Sequence, residues 1–149
     1  MATMTKHKPM VLFLCTGNSC RSQMAEALLR HKAGERYEAC SAGLAPSEVH
    51  PFTLRVLAER GIDTSRLYAK PVADFLGKAT VRHAIVVCER AQENCPRVFP
   101  FATNNLYWPF DDPAAWEGGE PEVLAKFREV RDQIEQRIDK WLETIGQPL

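Results

Sequence analysis

No stretch of this chain is apolar for long enough to cross a membrane. Its best apolar run, Met10-Val-Leu-Phe-Leu-Cys15, has six residues, where a spanning helix needs roughly 20 and a secretory signal core about 7–15. The expected location is the cytoplasm. An excess of either charge is also missing: Lys and Arg number 19, and so do Asp and Glu. That removes the basic field on which nucleic-acid binding depends, so no nucleic acid is expected as a partner, and neither an acidic tail nor a disordered chain is indicated. Internal repeats, low-complexity tracts and linkers are absent too. Residues 1–149 therefore read as one domain, with 1–9 as a flexible N-terminus. There is no Cys-x-x-Cys, and the four histidines (His7, His31, His50, His83) have no ligand spacing relative to the cysteines. Neither a metal site nor a cofactor is expected.

What the chain does have is an odd set of thiols, the five cysteines Cys15, Cys20, Cys40, Cys88 and Cys95. In a reducing compartment an odd number argues against a disulfide scaffold and towards metal binding or redox catalysis. Strand and helix signals alternate around these cysteines. Residues 10–15 are a continuous apolar run typical of a buried parallel strand. A helix follows from about Arg21 to Lys32, with Met24, Ala25, Leu28 and Leu29 on one face and an end near Gly34. Residues 36–41 suit a second strand, broken at Ala42-Gly43. Ser47 or Pro51 opens a second helix bearing Leu54, Val56, Leu57 and Ala58, which Gly61 stops. Pro71 to Lys78 is expected to hold a short third helix, Ala84 to Cys88 a strong buried strand, and Asn105–Tyr107 a short one. The last helix carries an apolar stripe: Val123, Phe127, Val130, Ile134, Ile138, Trp141 and Ile145. Such alternation predicts an α/β single-domain three-layer sandwich, a four-stranded parallel sheet flanked by helices. Ligands of such sheets bind at the carboxyl ends of the strands, where Cys15 and Cys88 both lie.

The segment Cys15-Thr16-Gly17-Asn18-Ser19-Cys20-Arg21-Ser22 places a cysteine and an arginine six apart at a strand-to-helix turn. Such a turn aims successive backbone N–H groups inward as an anion nest, and the helix N-terminus adds partial positive charge. Gly17 and Asn18 tolerate the backbone angles a nest requires. Arg21 can fork two hydrogen bonds onto a tetrahedral oxyanion. The same field, with Ser22 as hydroxyl donor, favours negative charge on the Cys15 sulfur and makes it a nucleophile beside a bound anion.

This loop, its continuation Gln23-Met24-Ala25-Glu26 and the later Ser41-Ala42-Gly43 resemble the low-molecular-weight tyrosine phosphatase superfamily. Within it the chain is more similar to the thioredoxin-coupled arsenate reductases, which have Gln where phosphatases usually have Pro, here Gln23. Cys88-Glu-Arg-Ala-Gln-Glu-Asn-Cys95-Pro96 resembles their resolving segment. The resemblance implies a relay: Cys15 attacks arsenate, Cys88 attacks Cys15 and releases arsenite, Cys95 attacks Cys88, and thioredoxin reduces the Cys88–Cys95 bond. It also makes Asp112, which precedes Pro113-Ala114, the general acid for the departing oxygen, with Trp108 or Phe110 to desolvate it and Asp111 to cap or hydrogen-bond the loop. Some relatives bind potassium through residues matching Asn18, Glu26, Ser41 and a further acidic position. Lys70 stands at that position, so its ammonium replaces the ion and little potassium dependence is expected.

Cys20 and Cys40 read as packing, and Arg36, His31, His50 and His83 as surface or structural residues. A monomer is expected. The competing reading is a low-molecular-weight protein tyrosine phosphatase, which needs neither Cys88 nor Cys95. A non-catalytic thiol sensor or oxyanion-binding module would need no acid at position 112. Were residues 88–95 helical, the two cysteine Cα atoms would lie ~10 Å apart, beyond the ~7 Å a disulfide spans. The segment is therefore expected to act as a redox switch whose amide hydrogen exchange across residues 89–96 differs between reduced and oxidised protein. Equal exchange in the two forms would remove the switch.

Overall fold

The computed structural model describes residues 8–89, 95–96 and 99–145. Most of the expected flexible N-terminus and most of the interior of the expected switch fall outside these residues. Four strands form one parallel sheet: β1 (Met10–Cys15), β2 (Glu38–Gly43), β3 (Val81–Val86) and β4 (Asn104–Tyr107), in the order β2-β1-β3-β4. Three α-helices accompany them: α1 (Arg21–Ala33), α2 (Pro51–Ala58) and α3 (Glu120–Ile145). This is the predicted α/β architecture. No helix among the described residues is long and apolar enough to cross a membrane.

β1 is one of the two inner strands, and Val11 to Leu14 are wholly shielded from solvent. That explains why its residues are apolar without alternation. The stripe on α3 buries Phe127, Val130, Ile134, Ile138 and Trp141. The ring of Trp141 meets Tyr37, His83 and Trp108 at centroid separations of 5.6, 5.1 and 5.9 Å, joining three parts of the chain to the last helix. Arg131 of α3 donates to the Val56 carbonyl of α2 at 2.8 Å and pairs with Glu59 just beyond α2.

Three expectations need correction. The second strand runs over residues 38–43 rather than 36–41 and passes through Ala42-Gly43 instead of breaking there. Gly43 is required by close approach, not by a turn: a Cβ there would lie 2.6 Å from the Thr16 carbonyl oxygen and 2.9 Å from the Asn18 nitrogen. The helix expected over 71–78 is only a 3-10 turn at Val72–Asp74, followed by Gly77 with φ +70°; a left-handed residue so soon after Pro71 leaves no room for an α-helix. The third strand spans Val81–Val86 rather than Ala84–Cys88, although the Val87 N–H still donates to the Leu14 carbonyl at 2.9 Å and carries the pairing up to Cys88.

α2 braces the active end of the sheet. The His50 side chain caps it by accepting from the Phe52 N–H through Nδ1 at 3.0 Å, and its ring packs on Phe52 and Phe127. Burial lowers the proton affinity of His50, partly opposed by Asp112; burial, aided by Arg82, lowers that of His83. With both folded values below the ordinary 6.5, the unfolded chain binds more protons below that pH, so stability is full above it and falls as pH drops. Thermal midpoints are expected to hold from pH 8 to 7 and decline between about 6.5 and 5. His50→Asn, which keeps a capping acceptor, should flatten part of the decline, whereas an unchanged slope would exclude His50 as a source.

Candidate active site

The loop between β1 and α1 is held from outside by its carbonyls. Thr16 O accepts from Ala45 N at 3.0 Å, Gly17 O from Ser47 N at 2.9 Å, Ser19 O from His50 N at 3.1 Å, and Cys20 O from Met24 N at 2.9 Å. Asn18 O accepts from Gln23 Nε2 at 2.9 Å, and Thr53 Oγ1 gives Ser19 O a second bond at 3.0 Å. In a trans peptide the C=O and the following N–H point in opposite directions. Anchoring the carbonyls outward therefore turns the N–H groups inward, which is what an anion nest needs.

Asn18 is the residue on which the turn pivots. It is fully buried, with φ +51°, in the left-handed region that Asn tolerates better than most residues. Its Nδ2 donates to Ser22 Oγ at 2.8 Å and to Ser41 Oγ at 2.9 Å, and its Oδ1 accepts from Lys70 N at 2.8 Å. Because Ser22 accepts from Asn18, its own hydroxyl proton is directed elsewhere.

Beneath this pivot, Ser41 Oγ donates to Glu26 Oε1 at 2.6 Å, and Lys70 Nζ stands 3.5 Å from the same oxygen. Lys70 Nζ also donates to the Tyr68 carbonyl at 2.7 Å and sits 4.2 Å from the Tyr68 ring centroid. Asn18, Glu26, Ser41 and Lys70, far apart in sequence, thus meet, and a buried ammonium occupies the group. Arg30 NH2 bonds the other Glu26 oxygen at 2.6 Å. Sequence reasoning missed the structural parts played by Tyr68, Thr53 and His50. Tyr68 is an exposed loop residue whose contribution is a carbonyl and a ring face, and no motif marks it.

Cys15 ends β1 at 3% exposure, and Arg21 opens α1 at 3%. The Arg21 NH1 donates to the Phe110 carbonyl at 3.1 Å, and NH2 lies 3.8 Å from Asp112 Oδ2. The capping role expected of Asp111 falls to its neighbour. Asp112 is itself the cap, Oδ1 accepting from Ala114 N at 3.0 Å at the start of the 3-10 turn Pro113–Ala115, while Asp111 pairs with Lys126 of α3 at 2.9 Å. One Asp112 oxygen is thus tied into its own turn and the other faces Arg21, a partly exposed carboxyl group fixed at the mouth of the loop.

Burial pushes the Cys20 thiol up to about 11, against hydrogen bonds to Ser19 and Thr53 that favour ionisation. Burial does the same to Cys40, also to about 11. Both are neutral thiols at physiological pH. Cys88, wholly shielded, and Cys95 are joined in a disulfide with Cα atoms 5.9 Å apart. By the register Leu14↔Val86, Cys88 lies one strand over from Cys15 and one residue further along. Strand spacing and rise place their Cα atoms about 6 Å apart, within disulfide range.

Removing the Asn18 side chain leaves Ser22, Ser41 and the Lys70 amide without their shared partner in a buried site. Asn18→Ala should cost about 3 kcal/mol in chemical denaturation and abolish phosphate binding measured calorimetrically. Retained phosphate affinity would show that the loop holds its shape without the pivot.

Residues 10–148 match the model of the low molecular weight phosphotyrosine protein phosphatase family. The chain is similar to the arsenate reductase of Halalkalibacterium halodurans, 39% identical over 93% of this chain and 98% of that one. Among solved structures it resembles an arsenate reductase in the phosphate-binding state (TM-score 0.75, 30% identity, 92% of this chain and 98% of that one). It also resembles the thioredoxin-dependent arsenate reductase of Corynebacterium glutamicum (TM-score 0.71, 32% identity, 96% of this chain and 64% of that one). With a cysteine–arginine loop at a strand–helix junction and a family match over residues 10–148, the chain belongs to the low molecular weight phosphotyrosine protein phosphatase family.

Proposed function

We propose that this single domain, residues 1–149, reduces arsenate to arsenite in the cytoplasm as a monomer, by a three-cysteine relay recycled by thioredoxin. The observation that carries this reading is the Cys88–Cys95 pair, joined in a disulfide just beyond the end of β3, the strand next to the one that ends in Cys15. Phosphate-ester hydrolysis has no use for that pair. Reduction of arsenic(V) to arsenic(III) needs two electrons, and two thiols supply them by becoming a disulfide.

The proposed steps use the groups gathered at this end of the sheet. Arsenate enters the loop formed by residues Thr16 to Ser22, where inward amides take its oxygens and the Arg21 guanidinium takes two more contacts. Cys15 attacks arsenic as a thiolate, and one oxygen leaves as water after receiving a proton from Asp112, 3.8 Å from Arg21. Cys88, as a thiolate, attacks the Cys15 sulfur. The S–As bond breaks with its electron pair going to arsenic, arsenite departs, and a Cys15–Cys88 disulfide remains. Cys95 then attacks Cys88 and returns Cys15 as a thiolate, and the dithiol of thioredoxin reduces the Cys88–Cys95 bond. The buried neutral thiol of Cys20 takes no part.

Lys70 takes the place of a bound cation beneath the loop: its ammonium already satisfies Glu26 and the Tyr68 carbonyl. In an assay of arsenate-dependent NADPH oxidation with thioredoxin and thioredoxin reductase, wild type should turn over at equal rates in sodium and potassium salts. Cys95→Ser should lose multiple turnover but retain a single release of arsenite, and Asp112→Asn should slow arsenite release by roughly a hundredfold or more. Absence of turnover in wild type beside brisk hydrolysis of an aryl phosphate would assign the chain to tyrosine phosphatases instead.

A further inference from the structure

Asn105 lies on β4, an edge strand of the sheet, and Asn is a poor strand former. Its side chain is used on the backbone of Phe99. Asn105 Oδ1 accepts from Phe99 N at 2.8 Å, and Asn105 Nδ2 donates to Phe99 O at 3.3 Å. A carboxamide carries the same donor and acceptor as a peptide group, so one side chain here does what a neighbouring strand would do. The Phe99 ring is 1% exposed in the core. The turn that follows is tied down as well: Ala102 N donates to Phe99 O, and Thr103 N to Val81 O at the start of β3, both at 3.2 Å. The chain is therefore fixed at two points, Cys88 just beyond β3 and Phe99, and Cys95 lies between them in sequence.

We propose that Asn105 is a positioning residue for the Cys88–Cys95 disulfide, its clamp on Phe99 setting the effective concentration of the Cys95 thiol at the Cys88 sulfur. The inference rests on reading these cysteines as an exchanging pair. Asn105 touches neither sulfur. It acts by restricting where the chain carrying Cys95 re-enters the core, and the tighter that anchor, the fewer arrangements compete with the one that closes the bond. Releasing the clamp favours the dithiol, which makes the pair easier to reduce and the last exchange of the relay less complete.

The full-length protein is equilibrated with oxidised and reduced dithiothreitol at a series of ratios. In this exchange the protein dithiol passes two electrons and two protons to the cyclic disulfide, forming the Cys88–Cys95 bond and reduced dithiothreitol. Acid quenching, alkylation and mass spectrometry of the two cysteine peptides report the fraction closed. Asn105→Ala should shift the midpoint about tenfold towards the dithiol, the effect of losing the clamp's hydrogen bonds. Asn105→Asp, which retains the acceptor for Phe99 N but not the donor to Phe99 O, should fall between the two. Phosphate affinity of the reduced protein should stay at the wild-type value in both variants. A midpoint within twofold of wild type, or a shift accompanied by an equal loss of phosphate affinity, would overturn the inference. A protein that shows the shift yet never reduces arsenate would leave the clamp standing and refute the proposed activity instead.

Discussion

A loop that is to hold an oxyanion by its amides must turn its carbonyls the other way, into the protein, where each requires a donor. That constraint organises the carboxyl end of this sheet. The carbonyls from Thr16 to Cys20 are met by Ala45, Ser47, Gln23, His50 with Thr53, and Met24, groups drawn from the chain after β2, from α1 and from the start of α2. Their placement explains features that packing alone would not select: Gly43 at the close crossing of two backbones, the His50 cap and buried Thr53 at the start of α2, and a buried glutamine at the beginning of α1.

The same end of the molecule gathers buried charge, which is costly unless paired. Arg21 is matched by Asp112 and a carbonyl, and Glu26 by Arg30, Lys70 and Ser41. The first group faces the mouth of the loop and the second supports it from beneath. Asn18 stands between them, joined to Ser22 on one side and to Ser41 and Lys70 on the other. The loop and the buried ion group are thus connected through the Asn18 side chain and through Gln23, which bonds both the Asn18 carbonyl and the Tyr68 carbonyl that Lys70 shares, while Cys15 ends β1 and Cys88 lies just beyond β3.

The elements most legible from sequence were β1 and the stripe of α3, whose apolar pattern alone implies burial, and the cysteine–arginine turn between β1 and α1, marked by residue spacing. The failures share a cause. Ala42-Gly43 has the composition of a strand break, but it continues β2 because the anion loop approaches too closely for any side chain at position 43. Residues 71–78 have helical propensity, which Gly77 and the tie from Lys70 to Asn18 override. Asp112 is set apart from Asp111 by its place before Pro113-Ala114, but that Asp112 also caps the 3-10 turn while Asp111 is drawn to Lys126 of α3 depends on contacts between elements.

The linear sequence therefore determined the α/β class, the nucleophile loop at the end of the first strand, and the set of thiols available for redox chemistry, because each depends on local spacing and hydrophobic period. Tertiary structure alone decided which partners those residues receive. Lys70 meets Glu26, Asp112 meets Arg21, and Asn105 meets Phe99, contacts made by short polar groups between separate elements. A hydrogen bond is satisfied by distance and direction in space, and a single chain read residue by residue records neither.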